Sequence, residues 1–127
     1  MTDEAPTFPK TLDERMKRRL EMNNPDKGND RLGRLIDRIN ADDEIYALWT
    51  AANVTAITRL GMTDHGPVHV KIVMNIAIRL FQLLEEADVH PSIVEDHGLE
   101  RDDAAVVIAL ASLFHDLGMS IHRADHE

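Results

Sequence analysis

The residues best suited to chemistry are an adjacent histidine and aspartate, His115-Asp116, which close the apolar run Ala104–Phe114. A second polar cluster, residues 64–69 with the sequence DHGPVH, lies upstream and ends at His69. Buried histidine and aspartate are costly unless they are paired, hydrogen-bonded or bound to a metal. Imidazole and carboxylate groups also suit Mn, Fe, Co, Ni or Zn. The pattern therefore indicates a divalent metal site that could activate water for hydrolysis.

The elements that carry these residues should bring them together. Pro67 suits the first position of a helix, which puts His69 in the first turn. His115 and Asp116 fall in the last turn of another helix, and the two helix ends can meet if the helices pack antiparallel or obliquely. A helix C-terminus favours a cation and a helix N-terminus an anion, so one site could hold a metal and a phosphate oxygen. Three protein ligands would leave open positions for water.

Each of these residues also has a plainer interpretation. His69 could be a helix N-terminal histidine hydrogen-bonded to a neighbour, and His115-Asp116 could be a polar pair on an exposed helix end. His65 stands four residues before His69, but Gly66-Pro67 intervene, so His65 is expected in the loop. There it could contact a metal ligand without binding the metal, act as an additional metal ligand, or contact substrate.

Several charged residues could contact substrate. His122 and His126 follow the His-Asp pair and could bind a second metal or a substrate phosphate, or could be solvated loop histidines. Arg123 is the best candidate for a phosphate contact because it lies in the loop after the pair; Lys71 and Arg79 are weaker candidates, with solvated surface charge as the default. His90 and His97 lie in a connector with Pro and Gly, and we expect both to be solvated.

Hydrophobic periodicity predicts helices throughout the main body. We expect helices over residues 10–22 and 31–39, from Asp42 or Asp43 to Leu60, from Pro67 to Glu86, and from Asp102 or Asp103 to the His-Asp pair, with a short turn at 92–95. The helix from Pro67 is expected to bury a stripe made of Val73, Ile76, Ala77, Leu80 and Leu84, widened by Ile72, Met74, Ile78, Phe81 and Leu83.

Composition limits the classes of protein. The chain has 127 residues, 43% of them hydrophobic and 4% aromatic, which suffices for one small domain with an aliphatic core. It has no cysteine, which excludes disulfides and thiolate metal sites and fits a cytoplasmic protein. The net charge of −9 is concentrated after residue 40 and disfavours nucleic acid as a partner. No uninterrupted apolar run is long enough for a membrane span. We divide the chain into residues 1–40, a leader with short helices, and residues 41–127, a helical core.

The motifs resemble those of the HD-domain superfamily of metal-dependent phosphohydrolases. In that family a histidine opens one helix and a His-Asp pair ends a later one. His69, Val73 and Ala77 match the first element, a histidine with a branched apolar residue four positions on and a small residue eight positions on. The stretch 111–118, ASLFHDLG, matches the second. The resemblance covers about residues 41–127.

The resemblance implies an all-α fold, an HD-domain-like helical bundle, and hydrolysis of phosphate esters, often nucleotides. By position, His69, His115 and Asp116 would be ligands of a divalent metal (Mn, Fe, Co, Ni, Zn or Mg), with Asp116 also helping to activate water. His126 resembles the extra histidine of members with two metals. The family's final aspartate ligand, on a later helix, has no match here, and residues 125–127 resemble the start of another helix. The chain is therefore expected to be the first part of a larger domain. The alternative is a non-catalytic module of the same fold that binds metal, nucleotide or a partner chain, including a second copy.

Overall fold

The protein is described by a computed structural model over residues 19–120. Five α-helices lie in that range: α1 (Asp30–Asn40), α2 (Asp43–Val54), α3 (Pro67–Glu86), α4 (Ser92–Glu95) and α5 (Arg101–Phe114). A π-helical turn, Thr55–Arg59, prolongs α2, and a 3-10 turn, Leu117–Ser120, follows α5. No strand occurs among these residues, so the predicted all-α class is confirmed.

Local chemistry explains most helix boundaries. Asp42 caps α2 by accepting a hydrogen bond of 3.0 Å from the Ile45 N–H. Gly61, with φ of 63°, turns the chain away after the π-helical turn, in a conformation that glycine adopts without strain. The predicted cap of α5 was wrong. Glu100 is the N-cap, and Asp103 instead accepts the Glu100 N–H at 3.1 Å, which completes a reciprocal capping box.

The centre of the fold is the packing of α3 against α5. Arg101 at the start of α5 contacts Glu85 near the end of α3, while His115 after α5 contacts His69 in the first turn of α3. The two helices therefore run antiparallel, which is one of the two arrangements expected to bring the predicted site residues together. One hydrophobic cluster fills the space between the helices; its buried members are Met22, Leu32, Ile36, Ile39, Trp49, Val70, Met74, Ile78, Phe81, Ala104, Ala105, Ala109 and Leu113.

Segment 19–40 packs into this same cluster. Residues 19–22, the part of the predicted helix 10–22 that the structure describes, are not helical. The side chain of Asn40 explains the difference, because it accepts the Met22 N–H and donates to the Met22 carbonyl, both at 2.8 Å. These two bonds satisfy the backbone N–H and carbonyl of Met22, which would otherwise have to be paired within a helix. They also hold the Met22 side chain in the core.

The buried face of α3 agrees only in part with the predicted one, because Met74, Ile78 and Phe81 are buried as expected. Val70, Met74, Ile78 and Phe81 face the core, whereas most of the predicted stripe is exposed. The outer α3 face consists of five apolar side chains that are 43–56% exposed: Ile72, Ile76, Leu80, Leu83 and Leu84. The sequence could not rank the two faces, because both are apolar.

Because both faces of α3 are apolar, this helix has the composition of a membrane span, and it is also long enough to be one. Its most apolar window has a mean hydropathy of 1.3 and is 22% buried. A single helix of this kind is weak support for a membrane segment, since a core helix passes the same test. The inner face of α3 does pack against the core of the bundle.

Candidate metal centre

Three side chains converge where the first turn of α3 meets the end of α5. His69 Nε2 lies 3.3 Å from His115 Nε2 and 3.1 Å from Asp116 Oδ2, and His115 Nε2 lies 2.9 Å from the same carboxylate oxygen. These are the three residues that the sequence predicted as ligands. Asp116 is 6% exposed, and the side chains of His69 and His115 are 29% and 37% exposed. The carboxylate is therefore buried, and the two imidazoles are open to solvent.

Hydrogen bonding orients the His115 ring toward the cluster. Its Nδ1 lies 2.6 Å from the carbonyl oxygen of Ser112. A carbonyl can only accept, so Nδ1 carries the proton, and in the neutral ring Nε2 presents a lone pair. Backbone carbonyls hold metal-binding histidines in this way in many proteins. The lone pair points to a carboxylate oxygen and a second imidazole nitrogen, an arrangement that a shared cation stabilises.

The spacing of the three atoms fits a single metal ion. Ligand atoms about 2.1 Å from one ion are roughly 3.0 Å apart in an octahedral and roughly 3.4 Å apart in a tetrahedral arrangement. The observed separations of 2.9–3.3 Å lie close to that interval. Two imidazoles and one carboxylate form a donor set that suits Mn, Fe, Co, Ni or Zn.

The end of α5, which carries His115 and Asp116, is fixed by aromatic packing. Trp49 of α2 is 3% exposed, and its Nε1 donates a hydrogen bond of 2.8 Å to the Leu113 carbonyl. Its ring stacks on Phe114 at a centroid distance of 6.4 Å. His115 is the C-cap of α5 and Asp116 follows it, so the pair lies just past the helix and not within its last turn.

His65 lies beside the cluster. Its ring centroid is 5.0 Å from that of His69, although the cluster of ligand atoms within 4.8 Å comprises only His69, His115 and Asp116 among the described residues. The loop before α3 is held by Asn53 of α2, whose Oδ1 accepts the His65 N–H at 3.0 Å. Sequence reasoning missed Asn53, because nothing in its local sequence separates it from any other helical asparagine.

The other candidate residues have different placements. His122, Arg123 and His126 lie outside the described residues. Lys71 donates to the Glu21 carbonyl at 2.8 Å, and Arg79 lies 3.7 Å from Glu86. Both cations are therefore engaged on the protein surface. The connector histidines are exposed, as predicted, and His90 contacts Asp88 at 3.0 Å.

The opposite end of the α3–α5 pair carries an ionic network. Arg101 donates from Nε and Nη2 to the Glu85 carboxylate, and its Nη2 also donates to Asp26 Oδ1 at 2.9 Å. Burial raises the pKa of Asp26, but hydrogen bonds from Arg101, Asn29 and Gln82 and the charge of Arg101 outweigh burial and hold that pKa below its ordinary value. The pKa of Arg101 is raised, mainly by its bonds to Glu85 and Asp26. This network joins α3 and α5 at the end opposite to the one that carries His69 and His115.

Comparison with known proteins adds one relative. An uncharacterized protein of Methanocaldococcus jannaschii is 34% identical over 92 residues, which cover 72% of this chain and 36% of the relative. The chain thus matches about a third of the length of this relative. The sequence matches no family profile, and no solved structure matches the chain.

Proposed function

We propose that this chain carries the metal site of an HD-domain-type phosphohydrolase that acts on phosphate monoesters or diesters, nucleotides among them. The observation that supports it is the convergence of His69, His115 and Asp116 within 4.8 Å. These residues come from two motifs far apart in sequence, and they are the ligands that the HD-domain resemblance implies. A coincidental polar contact would not be expected to select all three.

In this proposal His69, His115 and Asp116 hold a divalent metal. Such an ion lowers the pKa of a coordinated water and polarises a phosphoryl oxygen. The buried carboxylate of Asp116 has a second role, because it accepts a proton from the attacking water. The Ser112 carbonyl keeps the His115 ring in the tautomer that leaves Nε2 available.

The N-terminus of α3 would contribute to phosphate binding. The first backbone N–H groups of a helix lack intrahelical acceptors and carry a partial positive charge. In α3 these groups belong to Val68 and His69, next to the proposed ion, and Pro67 ahead of them has no N–H. The half-exposed imidazoles leave the site open to a small phosphorylated substrate.

Metal binding and turnover test the proposal separately. Calorimetry measures binding of four ions to the wild type, His115→Ala and Asp116→Asn: Mn²⁺, Co²⁺, Ni²⁺ and Zn²⁺. Turnover of p-nitrophenyl phosphate and of cyclic nucleotides is then assayed with each metal. We expect the wild type to bind one ion and both variants to lose binding and turnover. His90→Ala, which alters an exposed connector histidine, is the matched control. Metal-dependent turnover that persists in both site variants would contradict the proposed site.

The second candidate function is a non-catalytic module that binds metal and a partner chain. The outer α3 face favours it, since monomeric proteins seldom expose a continuous apolar helix face of this length. Metal binding without turnover on any phosphate ester, together with self-association or capture of a partner through this face, would favour the module over the enzyme.

A further inference from the structure

The ring of His69 contacts two other histidine rings, those of His65 and His115, at the candidate metal centre. The centroid of the His65 ring is 5.0 Å from that of His69, and the centroid of the His115 ring is 5.3 Å from that of His69. Two imidazoles that bind one metal through nitrogens about 2.1 Å from it have centroids roughly 5 Å apart. The centroid distance of His65 from His69 thus agrees with that of two rings sharing an ion, although the ligand atoms of His65 lie outside the cluster.

His65 is also held in the protonation form of a metal ligand. Its Nδ1 lies 2.6 Å from the Thr63 carbonyl oxygen, so Nδ1 carries the proton and Nε2 keeps its lone pair in the neutral ring. His115 has the same arrangement with Ser112, at the same distance.

The loop that carries His65 is attached to α2. Asn53 Oδ1 accepts the His65 N–H, and Asp64 Oδ1 accepts the Gly66 N–H at 2.9 Å. A Cβ on Gly66 would lie 2.9 Å from Asn53 Cβ, so only glycine permits this close approach. The backbone on both sides of the His65 side chain is therefore fixed next to the cluster.

We propose that His65 is a fourth protein ligand of the metal and that Asn53 is the residue that positions it. This inference rests on the proposed metal site and adds a ligand to it. Because His65 does not belong to the 4.8 Å cluster, the proposed ligation requires its ring to move toward the other three ligands. Metal binding to this chain would then involve four side chains: His65, His69, His115 and Asp116.

Co²⁺ titration followed by visible absorption and calorimetry tests this ligand. We expect His65→Ala to weaken Co²⁺ binding by about 10- to 100-fold and to change the d–d spectrum, which reports coordination number. Asn53→Ala should weaken binding several-fold with a smaller spectral change, and Asn53→Asp, which keeps an acceptor oxygen, should restore it. His90→Ala is the control for loss of an exposed histidine, and circular dichroism verifies that each variant is folded.

The outcomes separate this inference from the proposed function. If His65→Ala keeps the affinity and spectrum of the wild type while His115→Ala loses binding, the fourth ligand is wrong and the three-residue site stands. If the wild type binds no Co²⁺, both proposals are overturned. If His65→Ala and His115→Ala both lose affinity while only His65→Ala leaves a weaker complex with an altered spectrum, both are supported.

Discussion

The indole of Trp49 donates its hydrogen bond to the Leu113 carbonyl, two residues before His115. This bond joins α2 to the end of α5, where the helix leaves carbonyl groups without intrahelical partners. One buried side chain therefore satisfies a helix end and fixes the backbone from which His115 and Asp116 project. The stability of the fold and the geometry of the candidate metal site are coupled through this contact.

Replacing Trp49 by Phe should reveal that coupling. The variant loses the hydrogen bond and part of the stacking on Phe114, and the unsatisfied carbonyl with the smaller ring should lower the free energy of unfolding by about 2 kcal/mol. Metal affinity should fall several-fold because the end of α5 becomes less ordered. Urea unfolding followed by circular dichroism and calorimetric titration measure the two effects.

Thr50→Ala, an exposed neighbour, should change stability by less than about 0.5 kcal/mol. Equal effects from both variants would contradict the proposed anchor.

Sequence periodicity predicted most of the described helices, but not the non-helical residues 19–22 and not which face of each helix is buried. The bounds of α3 and α1 agree closely with prediction, because apolar spacing marks both helices and Pro67 marks the start of α3. Met74, Ile78 and Phe81 are buried as predicted, but most of the main predicted stripe is exposed, since Val70 and Met74 carry no more apolar character than Ile72 and Ile76. Such a choice depends on where α5 packs, which is a tertiary property.

The candidate site could be predicted only in part for a related reason. His69, His115 and Asp116 were found because each has a metal-binding side chain next to a recognisable helix end. Asn53 has neither signal, and its role depends on a loop that folds back from a distant part of the chain. Contacts made by backbone carbonyls, such as that of Ser112, also could not be predicted from the sequence, because any residue type supplies a carbonyl.

Gly66 gives a second test of the loop that carries His65. In Gly66→Ala the new Cβ would lie 2.9 Å from Asn53 Cβ and 3.0 Å from Cγ, so the loop or the helix must shift. We expect a loss of about 1–3 kcal/mol in unfolding free energy and weaker metal binding. Gly33→Ala is the matched control, since its Cβ meets only Asn24 Nδ2, at 3.4 Å, within a helix where alanine is favoured by up to about 1 kcal/mol. A Gly66→Ala variant as stable as the wild type would show that the loop can shift without cost and that the close contact with Asn53 does not hold it in place.

The lowered pKa of Asp26 predicts acid sensitivity. A carboxyl with a depressed folded-state pKa contributes stability that is complete above its unfolded pKa, near 3.8, and is lost as pH falls through the folded value. Asp26→Asn should therefore cost about 1–3 kcal/mol at about pH 6, and its stability should fall less than that of the wild type on acidification below about pH 4. Urea unfolding at a series of pH values measures this. Glu86→Gln, at an exposed ion pair, should follow the wild-type pH profile. Parallel pH profiles for wild type and Asp26→Asn would contradict the assignment.

The outer α3 face predicts association. Ile76 and Leu80 are each 56% exposed at the middle of this face, so a charge placed there should not disturb the core but should oppose burial against a second chain. We expect the wild type to self-associate with rising concentration in sedimentation velocity, and Ile76→Glu and Leu80→Lys to remain monomeric with unchanged unfolding free energy. Arg79→Glu is the control, because it changes charge on α3 without interrupting the apolar row. A wild type that stays monomeric at every concentration, with the same solubility as Ile76→Glu, would show that this face needs no partner.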